Sequence, residues 1–452
     1  MKIASNLKKE HPFVRSPHKT LLSMSVPVLL SLVAEPLTGL VDTAFVARLG
    51  AESLAALGAG TVALSCIFWA FNFLGIGTQT EVAQAHGREE SKRTAEIGGL
   101  AIALSAGIGV LMMLGCLPLV PYISSVMGAR GAVHEFASQY IQVRLFGAPA
   151  VLVSLAVFGI LRGLQDMRTP FWVAVSINLL NIMLDPLLIF GYGPFPRLGV
   201  FGAGLASVIS QWVGALWATM VVLRRLGFPN RLRMSDIVKL FQIGRDLFVR
   251  TGLLTAFFIF TTRAATRIGA DAGAAHQAIR QVWVFTALFL DAFAITGQSL
   301  IGYFLGPGRL EQARRAARLV CGWSLATGIF LSAGMLLGQG WAVRLLLPPS
   351  ATKIFFPAWL VAVMSQPINA LAFATDGIHW GTGDFRFLRN VMIAATTFGA
   401  AAIYLLDETA TGALTWIWLI TALWITLRAA FGVMRVWPGI GQSPLKKVTK
   451  VD

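Results

Sequence analysis

Long apolar stretches separated by short polar segments run through most of the chain. Each stretch is close to the roughly 20 residues that an α-helix needs to cross a bilayer. The clearest of them are 97–117, 203–223, 319–337 and 413–427. Two more, 21–46 and 171–190, are interrupted only by a few polar or acidic residues. The core of a soluble domain of this length could not bury all of these stretches, so the pattern predicts an all-α integral membrane protein.

Breaks at charges, glycine and proline divide the chain into twelve predicted transmembrane helices, six on each side of a polar linker. The predicted helices are 20–48, 54–82, 94–120, 134–161, 169–192, 202–224, 244–267, 274–304, 311–338, 352–380, 386–406 and 411–434. The predicted organisation is an N-terminal segment (1–19), an N-lobe (20–224), a linker (225–243), a C-lobe (244–434) and a C-terminal tail (435–452).

The charge distribution predicts the orientation of these helices. Only 13% of the residues are charged, yet the formal net charge is +16. The basic residues lie mostly in alternate loops, together with both termini, which is typical of cytoplasmic loops and does not indicate nucleic-acid binding. We expect a multi-pass protein of the inner or plasma membrane with both termini in the cytoplasm.

An internal repeat relates the two halves. A shift of 219 residues carries Gln79 to Gln298 and Gly87 to Gly306, and a shift of 218 carries Pro149 to Pro367. Because each half has an even number of helices, the two lobes have the same topology and are related by an axis along the membrane normal. We expect a V-shaped pair of lobes around a central cavity, the arrangement of an alternating-access transporter.

Two acidic residues stand inside predicted helices of the N-lobe, where an ionised group costs a few kcal/mol. They are Asp42 in the first helix and Asp185 in the fifth, with Asn181 one turn before Asp185. Two carboxylates in a medium of low dielectric constant favour sharing a proton or binding a cation. Pro27 and Pro36 interrupt the backbone hydrogen bonding of the first helix and predict a kink or hinge there.

Further polar residues are weaker candidates. Tyr140 and Ser207 could hydrogen-bond to the carboxylate cluster, and Glu35 and Asn178 could reach the central cavity. In the C-lobe, Arg263, Asp291 and Asp376 are expected to be the deepest charges, and either an Arg–Asp pair or contact with a cationic substrate would account for them. The six histidines and three cysteines are scattered and predict no metal site.

Several motifs resemble those of the multidrug and toxic compound extrusion (MATE) family. They are GLVDTAFVARLG at 39–50 and LRGLQDMRTP at 161–170, while AAHQ at 274–277 and LDAFA at 290–294 resemble its DinF-like branch. The resemblance implies two six-helix lobes and ion-driven export. It also implies ion coupling at Pro27, Asp42, Asn181 and Asp185, with Tyr140 and Ser207 at polar positions of the same cluster.

The resemblance implies a monomeric antiporter, not an enzyme, that exports small drug-like compounds, cationic or amphipathic, across the lipid bilayer. No cofactor beyond the coupling ion is expected. The sodium-coupled branch carries a carboxylate in the seventh helix, whereas 247–266 has none. Protons are therefore favoured, and sodium stays an alternative. A flippase for lipid-linked oligosaccharides, of the same superfamily, is the nearest rival. A major-facilitator transporter also has six plus six helices, but its basic loop signature between the second and third helices is replaced here by HGREE at 86–90. No selectivity filter of an ion channel and no catalytic constellation of a membrane enzyme is visible.

Overall fold

The computed structural model describes residues 10–229 and 233–446. All regular secondary structure in these ranges is helical. The parts of the predicted N-terminal segment, linker and C-terminal tail at 1–9, 230–232 and 447–452 lie outside the described residues, together with the basic side chains that they contribute. The helices of the first half are α1 (Pro12–Arg15), α2 (Pro17–Ala47), α3 (Ala51–Trp69), α4 (Phe73–Gly87), α5 (Ser91–Cys116), α6 (Val120–Val126), α7 (Gly131–Leu145), α8 (Ala148–Gly163), α9 (Arg168–Phe190) and α10 (Gly199–Leu226).

The second half repeats this order. Its helices are α11 (Met234–Ile268), α12 (Ala270–Leu305), α13 (Leu310–Leu337), α14 (Gln339–Leu346), α15 (Thr352–Met364), α16 (Gln366–Thr382), α17 (Phe385–Tyr404) and α18 (Ala413–Val436). The helix α11 begins at Met234, inside the segment 225–243 that was predicted as a linker.

Within the described residues, nine helical segments are long and apolar enough to cross a membrane, and two bent helix pairs bring the number to eleven. The bent pairs are α7 with α8 and α15 with α16, at 49° and 44°. The remaining predicted helix, 244–267, lies within α11, whose 35 residues are long enough to span but include several charges. The all-helical membrane architecture in two six-helix lobes is confirmed.

The bends have a local cause. The helix α8 begins at Ala148 and α16 at Gln366, and the second residue of each is a proline, Pro149 and Pro367. Proline lacks a backbone N–H and is favoured in the first turn of a helix, so a new helix begins here more readily than an old one continues. The repeat therefore places the same bend in both lobes.

The lobes meet through α2, α4 and α8 of the first lobe and α11, α12 and α16 of the second. Gln79 Nε2 donates to the Ile295 carbonyl at 2.8 Å, and Gln298 Nε2 donates to the Ile76 carbonyl, also at 2.8 Å. Ser299 Oγ donates to the Arg162 carbonyl at 2.5 Å. The two glutamine bonds are exchanged by the 219-residue shift, so the contact follows the pseudo-twofold relation of the repeat.

Two glycines allow this contact to be close. A Cβ atom on Gly87 would collide with the Tyr303 carbonyl oxygen, and one on Gly306 would collide with the Gln84 carbonyl oxygen. Glycine is required because only a residue without a side chain lets one backbone approach another so closely. These contacts lie at the end of the helices that carries the chain termini. At the other end, α3 packs on α7 and α15 packs on α18, each within its own lobe, which gives the V shape.

Candidate functional site

The N-lobe brings Asp42 of α2 and Asp185 of α9 together. The two helices pack along each other, and the two carboxyl groups lie within hydrogen-bonding reach of one another. Asp185 has no exposed surface, whereas Asp42 is half-buried. No donor among the described residues forms a hydrogen bond to either Asp185 oxygen.

Asn181 connects this pair to α10. With its amide oriented so that both atoms are satisfied, Nδ2 donates to Asp42 Oδ1 at 3.0 Å and the oxygen accepts from the Ser207 N–H at 3.3 Å. The Ser207 hydroxyl itself donates to the Ala203 carbonyl at 3.2 Å. The predicted grouping of Asp42, Asp185, Asn181 and Ser207 is thus present in space, while the role of these residues in ion coupling stays a prediction.

The other predicted N-lobe residues are not joined to the carboxyl pair by hydrogen bonds within the described ranges. Tyr140 is buried and its ring packs against Gly60 and Gly204; within the described ranges it forms no hydrogen bond to either aspartate. Glu35 is exposed and Asn178 is half-buried. None of these three contacts the pair through a hydrogen bond in the part of the chain that the structure describes.

The two prolines of α2 lie inside a helix that continues through both of them. Neither can donate a backbone hydrogen bond, so each leaves one carbonyl in the preceding turn without its helical partner. Pro27 is half-buried and Pro36 is exposed. The hinge role of Pro27 and Pro36 stays a prediction.

A cation near the pair was missed by the sequence analysis. Arg144 of α7 lies within electrostatic range of Asp42. Its Nη1 donates to Gln211 Oε1 at 2.9 Å, which fixes the guanidinium beside α10. The signal was available, because Arg144 stands between apolar residues in the middle of the predicted helix 134–161.

The chemistry of this site follows from the absence of donors around Asp185. Two ionised carboxylates at this separation repel each other strongly in a buried environment. A proton held by one of them removes one negative charge and allows that carboxyl to donate to the other, and a bound sodium ion would likewise offset one of the two charges. The described residues contain no group of three or more His, Cys, Asp or Glu side chains that could hold a metal ion.

The C-lobe carries a separate buried charge cluster. Asp376 of α16 accepts hydrogen bonds from Arg250 of α11 and, at 2.8 Å, from Arg428 of α18. Arg428 lies over the Trp424 ring at 4.5 Å. Asp291 of α12 lies within electrostatic range of both arginines. We expected an Arg–Asp pair as one alternative in this lobe, and the cluster contains two.

The expectation that Arg263 supplies the arginine of such a pair was wrong. Arg263 is exposed, whereas Arg250 is buried with Asp376. His276 is also buried, with its ring 5.5 Å from that of Trp418. Arg428 was not considered in the sequence analysis, although it is a lone charge within the predicted helix 411–434.

The comparison with known proteins now decides the family. The MatE family model matches residues 27–187 and 247–405, one region in each lobe. The chain belongs to the MATE family. Its members are transporters, so this chain is a multi-pass membrane transporter of the multidrug and toxin efflux type rather than an enzyme.

Individual MATE relatives agree with this assignment over nearly the full chain. The chain is 30% identical to the chloroplastic protein DETOXIFICATION 44 of Arabidopsis thaliana, over 95% of this chain and 84% of that protein. It is 27% identical to DNA damage-inducible protein F (DinF) of Escherichia coli, over 94% and 93% respectively. The resemblance to the DinF-like branch is thereby confirmed.

Solved structures show the same MATE fold. A MATE crystal structure in the bent conformation has a TM-score of 0.85 at 22% identity, covering 95% of this chain and 98% of that one. A MOP superfamily transporter from Pyrococcus furiosus has a TM-score of 0.84 at 22% identity, covering 95% and 97%.

Proposed function

We propose that this MATE protein exports small organic compounds, cationic or amphipathic, in exchange for protons that bind at Asp42 and Asp185. The observation that supports protons is the fully buried Asp185 carboxyl, which lies beside Asp42 and has no hydrogen-bond donor among the described residues. A shared proton supplies the missing donor. A proton that moves through a membrane potential of 100 mV supplies about 2.3 kcal/mol, enough to drive modest accumulation.

The proposed orientation follows the basic loops, with both termini in the cytoplasm of an inner or plasma membrane. In that orientation the lobes are closed on the cytoplasmic side and separate on the outer side. Protonation from outside would remove one of the two negative charges and let one carboxyl donate to the other, and the return to the cytoplasm-facing state would release the proton. The protein is proposed to work as a monomer, with a drug-like substrate, the lipid bilayer and the coupling ion as its partners.

The test is transport in proteoliposomes with an imposed pH gradient or an imposed sodium gradient. We expect a fluorescent organic cation to move in the direction opposite to the proton flow that the pH gradient drives. We expect Asp42→Asn and Asp185→Asn each to abolish this movement. Glu52→Gln, which removes an exposed carboxylate from the same lobe, is the matched control and should keep it.

Three results would contradict the proposal in different ways. Unchanged proton-driven efflux in Asp42→Asn removes the coupling role from the pair. Efflux that follows only the sodium gradient, and is lost in the same variants, replaces the proton by sodium at the same site. Movement of lipid-linked oligosaccharides without movement of organic cations replaces the exporter by a flippase.

A further inference from the structure

A groove opens at the surface of the first lobe between α2 and α9, near the end that carries the chain termini. The α2 residues that line it are Lys19, Leu22, Ser23, Val26 and Pro27, and the start of α9 contributes Arg168. The α2 residues occupy positions i, i+3, i+4, i+7 and i+8, which form one face of a helix. Most of this face is left open, because α2 is buried against the second lobe mainly through Leu21, Met24 and Val28, with Leu22 at the edge of that contact.

Beyond the residues that line the groove, each of the two helices carries a further exposed apolar side chain at membrane depth. Val26, about 13 Å along the helix from its start, has 51% of its surface exposed, and Leu30 one turn later has 48%. On α9, Trp172 stands one turn after Arg168 and is 57% exposed. Side chains of this kind on a membrane protein face acyl chains, because no water competes for the surface within the hydrocarbon core.

The mouth of the groove carries two cations. Lys19 is the third residue of α2 and Arg168 the first residue of α9, so both stand where the spans enter the membrane. Both are exposed, and within the described ranges neither forms an ion pair. The nearest acid in sequence, Asp166, is already paired with Arg225 at 2.6 Å.

The Asp166 carboxylate is further stabilised in its ionised form. It accepts hydrogen bonds from the Thr169 hydroxyl at 2.5 Å and from two backbone N–H groups. Burial opposes ionisation, but the Thr169 bonds and the Arg225 charge together hold the pKa of Asp166 below its usual value. Asp166 thus has its own partners and leaves Lys19 and Arg168 available to an external anion.

We propose that the α2–α9 groove binds an anionic phospholipid, with the headgroup phosphate between Lys19 and Arg168 and an acyl chain along Val26, Leu30 and Trp172. Basic pockets between transmembrane helices on the cytoplasmic side bind anionic headgroups in this way. Since Pro27 lines the groove, the bound lipid contacts α2 at the residue where its hydrogen-bond ladder is interrupted.

The test measures lipid binding to the full-length protein in detergent by native mass spectrometry, with phosphatidylglycerol and with phosphatidylcholine. We expect phosphatidylglycerol to bind more tightly. The double variant Lys19→Gln/Arg168→Gln should bind it about 30-fold more weakly, because each cation near an anionic headgroup contributes about a fivefold factor. The charge-preserving variant Lys19→Arg/Arg168→Lys should keep most of the affinity.

The matched control is Lys92→Gln/Arg386→Gln. These residues are exposed, stand second in α5 and α17 at the same end of the helices, and their loss changes the net charge equally. We expect unchanged phosphatidylglycerol binding. Equal weakening in both double variants would show diffuse electrostatic attraction and overturn the site.

Two further arms separate a lipid site from a phosphate site and from misfolding. Glycerol 3-phosphate should not displace phosphatidylglycerol, and displacement at equal concentration would overturn the acyl-chain part of the proposal. Ser23→Trp fills the groove from an exposed position without a change in charge. It should weaken phosphatidylglycerol binding even if the double variant proves unstable, and full binding to Ser23→Trp would overturn the site. None of these measurements depends on transport.

Discussion

Asp376 is the residue that balances the C-lobe charge cluster. It accepts hydrogen bonds from Arg250 and Arg428 through the same oxygen, so its removal leaves two buried guanidinium groups without their common partner. Removing one partner from a buried charge network is far more costly than removing an exposed pair, because the remaining charges stay desolvated.

We therefore expect Asp376→Asn to destabilise the protein by about 3–5 kcal/mol, measured as a lower unfolding temperature in detergent. Asp271→Asn, at an exposed position of the same lobe, should cost no more than about 1 kcal/mol, because only an exposed charge at a helix N-terminus is lost and the new amide oxygen can still accept the Ser350 hydroxyl bond. Adding Arg428→Met to Asp376→Asn should recover part of the loss, since it returns the net charge of the cluster to its original value. Equal effects of the Asp376 and Asp271 changes would show that the two guanidinium groups do not depend on Asp376 as their common partner.

Single residues also show how far the sequence could be interpreted. Asp42 and Asp185 were identified because each is a lone carboxylate in an apolar helix, where its cost restricts it to the interior. The seventh predicted helix has charges on several faces, Arg245, Asp246, Arg250 and Arg263 among them. Arg250 and Arg263 are 13 residues apart and so lie on different faces, and nothing in the sequence indicates which face is turned inwards.

At the scale of elements, the short segment before α2 ties the two lobes together. His11 Nε2 donates to Gln165 Oε1 of the first lobe at 2.5 Å. The His11 ring lies 4.8 Å from that of Tyr303 and 5.2 Å from that of Phe304, both in the second lobe. Phe13 is fully buried 5.5 Å from Phe304. This contact was not predicted, since the segment has no periodic pattern.

The docking of this segment should depend on pH. Burial lowers the pKa of His11; the Gln165 hydrogen bond opposes this, and the nearby charge of Arg309 adds to it, so that the pKa lies below the usual 6.5. His86, whose ring also contacts Tyr303, is the other titratable group facing it. The undocked segment binds the proton more readily. Docking is therefore complete above about pH 6.5 and weakens as the pH falls below that value.

Hydrogen–deuterium exchange of residues 11–16 between pH 5 and 8 checks this expectation, after correction for the intrinsic exchange rate. Protection should decrease towards pH 5 in the natural chain. It should lose most of its pH dependence in His11→Gln and retain it in His18→Gln, which changes an exposed histidine. Protection that is constant with pH in the natural chain would contradict the role of His11.

Helix positions were predicted closely, and the differences have physical causes. The predicted helix 134–161 is in fact α7 and α8, because Pro149 favours a new helix start over continuation. The linker in the structure is shorter than the predicted one, because the charged residues from Met234 onwards are compatible with an amphipathic helix. Hydropathy marks where a chain is apolar and gives no information on charged helical turns that extend beyond the bilayer.

At the scale of the whole molecule, the repeat predicted two lobes but not which end is closed. That depends on close backbone contacts at Gly87 and Gly306, which sequence identity alone cannot distinguish from glycines elsewhere. Gly107 and Gly322, for example, have open space where a Cβ would stand.

These four glycines allow a matched experiment. Gly87→Ala and Gly306→Ala should both open the closed end, because the added methyl group collides with a carbonyl of the opposite lobe. Gly107→Ala and Gly322→Ala should not. Hydrogen–deuterium exchange at 76–87 and 295–306 should rise in the first two variants only. An unchanged exchange pattern in Gly87→Ala and Gly306→Ala would show that the close backbone contacts at these glycines are not needed to keep this end closed.

The reciprocal bonds of Gln79 and Gln298 make the closed end an isologous contact, in which each half offers the other the same surface. This is the contact geometry of a twofold homodimer. A chain cut between α10 and α11 should accordingly yield two fragments that recognise each other without a covalent connection. The covalent connection then serves mainly to keep the two halves at a one-to-one ratio. It also allows their sequences to differ, so that the first half can carry the carboxyl pair and the second half need not.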